Sequence, residues 1–359
     1  MVRAFVVMMA MLGTGVMVST PVGAEPAERE VVPASENAAL VYWAGWYWLG
    51  EYRRTLSDLY YSEDGLFVPE NQNEEEALRA LTDASQAVEV IIRASKMEHC
   101  DFGSRPEHAL NEDREPSDFY LNVARETSRI VALDAGRHLE RNWTEEGAER
   151  LAALVRLAEH IGRAEMPSPS LVSISIFDTA ARHVDLFQDK FSEKDRRVLS
   201  EALERFPEED TFRLVAGVGR DAAVSAQRLA NQIRTRDVSD WTLEGTGLDG
   251  ALASVKAESE SALGNTRTAR LARARLIRDA MRIAEVGEKY AEAWGDPAAI
   301  DAVYDELAAG DYGVFARSMA GVYGKLSQVD TEANAKLDAL RAWANGETET
   351  LELPERNRR

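Results

Sequence analysis

Leu171-Val172-Ser173-Ile174-Ser175-Ile176-Phe177 is the stretch on which the fold class turns. Apolar and serine residues alternate through it, the period of a half-buried strand. Yet Phe177, Ala180, Ala181, Val184 and Phe187 carry the apolar pattern onward at spacings of three and four. The longer pattern is helical, so the stretch is read as helix. With it goes the best strand candidate, and no other part of the chain gives a strand series. The predicted fold class is all-α: antiparallel helix pairs with short connections, arranged as an α-solenoid or as an irregular helical bundle.

Working outward, Leu151, Leu154, Val155, Ala158 and Ile161 form the stripe of a helix from Thr144 to about Ala164. Phe119, Val123, Ile130 and Val131 face inward from a helix over Ser117 to about Asn142. Leu78, Leu81, Ala84, Val88, Ile91 and Ile92 give a single clean stripe from Glu74 to about Glu98, with Gly103 as a left-handed cap. The first helix is predicted from Glu36, capped by Ser35, to about Tyr61. Leu40, Trp43 and Tyr47 mark one apolar face of it and Tyr42, Trp46 and Leu49 another, which predicts packing on two sides.

Downstream, Ser192 and Asp195 form a capping box for a helix ending near Phe206. Pro207 opens the next, to about Thr235. Asp237–Gly250, with Gly245, Gly247 and Gly250, is the clearest break. A long helix from Ala251 to Trp294 and two or three shorter ones to Asn345 follow. The predicted organisation is a leader over 1–24, a linker over 25–35, helical regions over 36–236 and 251–345, and a polar frayed tail over 346–359.

Arg3, the uncharged apolar run Ala4–Val18 and the small-residue site Val22-Gly23-Ala24 have the layout of an export signal cleaved after Ala24. The expected location is therefore periplasmic or extracellular, with no stable membrane insertion after cleavage. The chain has 359 residues and a net charge of −20, which argues against nucleic acid as a partner because such surfaces are basic. One cysteine excludes an internal disulfide framework.

Asn37-Ala38-Ala39 leading into Tyr42-Trp43, then His99-Cys100-Asp101-Phe102-Gly103, then the segments around Arg137-His138-Leu139 and Leu151–Gly162, then Pro169-Ser170-Leu171-Val172 follow in a distinctive order. In that order the chain resembles a group of exported helical proteins of planctomycete-type bacteria, over residues 36–190. The His-Cys-Asp-aromatic-Gly stretch is the most specific part. The resemblance implies an exported helical protein; it implies no activity.

His99, Cys100 and Asp101 are three consecutive groups able to bind metal or move protons, with His138, His160 or His183 to complete a set. Consecutive residues point in different directions, so no metal or other cofactor is assigned. The preferred reading is structural, with Cys100 a small buried hydrophobe whose thiol is held protonated at a helix C-terminus. Asp134 and His138, four apart, have the spacing of an oriented base or of a modest surface pair. No nucleophile elbow, zinc-protease or Walker signature is present. Tyr42, Trp43, Trp46, Tyr47 and Trp48 suit either stacking on sugar rings or core packing; exposed tryptophans on one face would favour the sugar. Arg267, Arg275, Arg278 and Arg282, widened by Arg270 and Arg273, form a basic stripe that pairs with the acidic remainder of the chain or an anionic partner. The function expected is non-catalytic: an exported binding or scaffold protein with a protein or glycan partner. The alternative is a metal-binding protein or hydrolase centred on His99, Cys100 and Asp101.

Overall fold

The structure, a computed structural model, describes residues 33–50, 52, 74–103, 119–164, 166–235, 266–310 and 312–354. Ten α-helices make up the described residues: α1 (Ala38–Leu49), α2 (Glu74–Ser95), α3 (Phe119–Glu140), α4 (Thr144–Gly162), α5 (Pro167–Phe187), α6 (Glu193–Leu203), α7 (Leu214–Thr235), α8 (Thr266–Ala293), α9 (Pro297–Ala309) and α10 (Gly313–Ala344). The fold is all-α. One isolated bridge, Asn37 with His99, is the only strand-like pairing among the described residues.

The ambiguous Leu171–Phe177 stretch lies inside α5. Its alternating serines are accommodated one by one. Ser173 is buried and donates through Oγ to the Ala158 carbonyl of α4 at 2.6 Å, while Ser175 faces solvent. A hydroxyl that finds a backbone carbonyl can enter a helical core without an unmet polar group.

Helix α4 is the axis. From Gly147 to Gly162 only Glu149 is not buried. Helices α2, α3, α5 and α6 surround it. Helix α10 also packs on α5 and α6, far from it in sequence, whereas a solenoid repeat contacts only its neighbours, so the arrangement is the irregular bundle of the two expected forms. Helices α7 to α10 form a second layer on the same continuous core. Here α7 and α8 make the closest pair. Helix α10 crosses back over α5 and α6. Lys336 pairs with Asp178 of α5, and Arg341 donates to the carbonyls of Leu203 and Phe206, both at 3.1 Å.

Several boundaries differ from the sequence reading. The cap of α1 is Asn37, not Ser35; its side chain accepts from Ala39 N at 3.1 Å. Helix α1 buries one face, with Tyr42, Trp46 and Leu49, and only partly covers the other: Trp43 packs on Phe119, while Leu40 and Tyr47 are exposed. Phe119 is 58% exposed rather than inward. Helix α2 stops at Ser95, so Gly103 (φ +73°) turns a loop instead of capping a helix. Pro207 does not open α7, because Asp210 supplies the start instead. Its carboxylate accepts from Val215 N at 3.0 Å and Ala216 N at 2.9 Å. The capping box of α6 is present as expected. Among the described residues the end of the chain holds two helices, within the two or three expected, but α10, at 32 residues, is longer than α8 rather than shorter. Within the predicted frayed tail, residues 346–350 are exposed but Leu351 returns to the core: it is 3% exposed, and its backbone exchanges hydrogen bonds with the Gln188 amide. The leader, most of the linker and the glycine-rich break lie outside the described residues. So do the second half of the predicted first helix and the side chains of Arg267, Arg270 and Arg273.

One carboxylate is buried against α8 and α10. Asp330 accepts from Trp294 Nε1 at 2.9 Å and from Asn334 Nδ2 at 3.1 Å. Burial pushes its pKa up to about 6, with Asp210 adding to the effect and the two hydrogen bonds opposing it. An unfolded aspartate titrates near ~3.9. The folded protein therefore holds this proton more tightly. The resulting stabilisation is complete below about pH 4 and is lost as pH rises through 6.

Two outcomes are expected. At Gly287 a Cβ would overlap the Cβ of Ala222 across the α7–α8 contact. Gly287→Ala should therefore cost about 1–3 kcal/mol in urea unfolding, and an unchanged midpoint would contradict the packing. Asp330→Asn should raise the melting temperature at pH 7.5 and lose that advantage by pH 4; a gain independent of pH would refute the buried titration.

Candidate functional site

The Asn-Ala-Ala and His-Cys-Asp segments, 64 residues apart at the clamp, meet in space. Asn37 Nδ2 donates to the Asp101 carbonyl at 3.0 Å, and Asn37 Oδ1 accepts from Asp101 N at 2.9 Å. Ala38 N donates to the His99 carbonyl at 2.8 Å. The amide thus caps α1 and holds the 99–101 backbone at once. The Asp101 carboxylate accepts from Gly103 N at 2.7 Å, a local turn. Phe102 then enters the core, stacked on Trp46, Tyr42 and Tyr120.

The three consecutive groups are thereby dispersed. The His99 and Asp101 residues are exposed and Cys100 is partly buried. Burial raises the pKa of the Cys100 thiol strongly, with Glu159 and Asp101 adding to it and Arg163 opposing. The expectation of a protonated thiol stands, but the cause is desolvation rather than a helix end, since α2 finishes five residues earlier. Among the described residues no group of three His, Cys, Asp or Glu side chains is placed to hold a metal ion.

The histidines proposed to complete a set are each engaged elsewhere. His160 Nδ1 lies 3.1 Å from Tyr42 Oη. Burial, with Arg163 and Arg205 beside it, pushes the His160 pKa down to about 3, against a raising contribution from the Met97 backbone. Burial likewise lowers that of His183, whose ring bonds the Thr179 carbonyl at 2.8 Å. His138 bonds the Asp134 carbonyl at 2.7 Å, while the Asp134 carboxylate receives Arg150 Nε at 2.5 Å. That carboxylate is committed to a buried ion pair, which leaves the Asp134–His138 pair poorly suited to general-base work.

The aromatic run behaves differently. Trp43, Trp46, Tyr47, Trp48 and Tyr52 line a cleft of about 620 Å³ between α1, α2 and α3. Asp83, Gln86 and Ala87 of α2 and Phe119 and Val123 of α3 complete its walls, with Gly50 at the rim. Trp43 and Phe119 are stacked, 6.0 Å apart and 10° from parallel, and Trp43 meets Trp46 edge-on at 5.1 Å. Trp46 is buried, and its indole N–H has no acceptor among the described residues. Trp48 is 52% and Tyr47 82% exposed. Three aromatics in succession, Trp46-Tyr47-Trp48, span some 200° of a helix, so they cannot all face one core. Gly45 lets α1 lie close on α2, since a Cβ there would stand 2.9 Å from Ile91 Cγ1.

Sequence reasoning named Trp43, Trp46, Tyr47 and Trp48, took Phe119 for a core residue, and missed Tyr52, Asp83 and Gln86. The polar pair occupies the outward side of α2, where nothing in the stripe distinguishes a cleft wall from ordinary solvated surface.

No protein family, curated protein or solved structure matches the chain. The functional reading rests on the site itself.

Asn37→Ala removes a helix cap and two tertiary hydrogen bonds together. It should lower stability by roughly 2 kcal/mol, at the upper end for a cap. Asn37→Asp, which keeps the cap but not the Nδ2 donor, should fall between. Denaturant midpoints for the two variants check this order.

Proposed function

We propose that this chain is an exported, non-catalytic binding protein, and that its cleft holds a carbohydrate chain. It would then stand with the exported helical proteins that it resembles. The observation that carries the reading is the partial exposure of Tyr47, Trp48 and Phe119 around one concavity. Large apolar side chains left in water cost free energy unless something covers them. Aromatic rings combine flat apolar faces with low conformational entropy. A pyranose offers a matching apolar face of C–H groups and a rim of hydroxyls. Gln86 and Asp83 supply hydrogen-bonding groups on the facing helix. Mostly apolar walls with few polar groups are the usual composition of a small-ligand site. No helix among the described residues is long and apolar enough to cross a membrane, which is compatible with release of the chain after leader removal.

A binding role also agrees with the chemistry of the cluster near Cys100. Burial raises the pKa of the thiol and lowers that of the His160 imidazole to about 3, which makes the one a poor source of thiolate and the other a weak base.

The test is a titration of the purified protein with hexasaccharides of several sugar types, followed by tryptophan fluorescence and calorimetry. At least one should bind with a shift in emission. Trp48→Ala, at a half-exposed position, should retain the parent melting temperature and weaken that binding by about tenfold, equivalent to ~1.4 kcal/mol. Absence of binding across the panel, or full affinity in Trp48→Ala, would overturn the assignment.

A further inference from the structure

We propose that the cleft selects amine-bearing sugar chains, of the glucosamine type, over neutral acetylated chains and over uronate chains. This rests on the carbohydrate reading above and specifies its ligand. Among the described residues that line the cleft, Asp83 alone carries a formal charge, and none is lysine or arginine. Asp83 is exposed on α2, one turn before Gln86 and Ala87. Across from it stand Trp43, Tyr47 and Trp48 of α1, with Phe119 of α3 beside them.

Both kinds of wall prefer the same sign of ligand charge. Aromatic faces carry negative quadrupole density and attract ammonium groups, tryptophan most of all. A carboxylate attracts the same group directly, and beside an apolar wall that attraction is less screened than on open surface. A net charge of −20 adds a long-range bias in the same direction. A uronate chain would meet repulsion from all three sources. An N-acetylated chain would still stack but would gain nothing from Asp83.

The cation also fits the residue spacing. Asp83 lies three residues before Gln86, so both project from one side of α2. Gln86 can accept or donate to a hydroxyl while Asp83 takes the ammonium on an adjacent unit. The amine thus serves as a register mark for a chain whose rings stack on α1.

Calorimetry on the purified protein at pH 6, with hexamers of glucosamine, N-acetylglucosamine and galacturonic acid, tests the proposal. The glucosamine hexamer should bind at least about tenfold tighter than its acetylated counterpart, and the galacturonate hexamer should not bind detectably. Asp83→Asn should bring the first two to within about twofold of each other, with melting temperature and circular dichroism unchanged. Equal affinity for the first two hexamers in the parent protein overturns this proposal and leaves the carbohydrate reading standing. A preference that survives Asp83→Asn is general attraction to an acidic protein and also overturns it. If none of the three binds but another sugar in the wider panel does, the amine specificity alone fails. If no sugar binds, both fail together.

Discussion

The structure depends on how a mostly enclosed helix finds partners for the charged and polar side chains it buries. Helix α4 buries Arg150, Arg156, Glu159 and His160. A buried charge without a partner would cost several kcal/mol, so each neighbour must deliver one. Arg150 reaches Asp134 on α3 and Glu89 on α2. Glu159 takes Arg163 from its own end and Arg213 from the start of α7. His160 meets Tyr42 on α1. Helix α5 answers with Ser173 on a main-chain carbonyl. Each contact fixes the rotation of one helix about its own axis, which hydrophobic area alone does not do.

The orientation of α1 follows from this. Tyr42 must face α4, and Trp46 and Leu49 lie on the same side and are buried with it. The other aromatic face is then turned toward α3 and solvent, where it lines the cleft. Arg205 secures the far wall. Its guanidinium donates to the carbonyls of Ser95, Lys96 and Met97, the unpaired end of α2. Such carbonyls need partners when they are not hydrated. The cleft is thus a consequence of how the interior is wired, with walls held by groups that do not themselves line it.

Helix existence was legible because spacings of three and four persist over long runs; even Leu171–Phe177 yielded to that criterion. Helix ends were less legible. The start of α7 depends on Asp210 reaching two amides five and six residues ahead, and Pro207 draws attention away from it. The extent of burial of α4 was hidden because Arg150, Arg156, Glu159 and His160 lie off its apolar stripe; partners such as Asp134, Arg213 and Tyr42, distant in sequence, help to make them interior. The same holds for Leu351, which looks like an isolated apolar residue in a polar tail until Gln188 is seen beside it. At the site, composition pointed to the tryptophans, whereas the contribution of α2 and α3 required the helices to be placed.

The Asn37 clamp has a consequence of its own for where this chain is able to fold. It closes a long stretch of polypeptide with an amide side chain, the task a disulfide performs in many small exported proteins. Its neighbour Cys100 is partly buried, and burial raises its thiol pKa, which disfavours the thiolate that would meet an oxidant or a second thiol. The fastening is therefore blind to redox potential: it forms equally well among glutathione and in an oxidising lumen, and a stray thiol exchange cannot undo it.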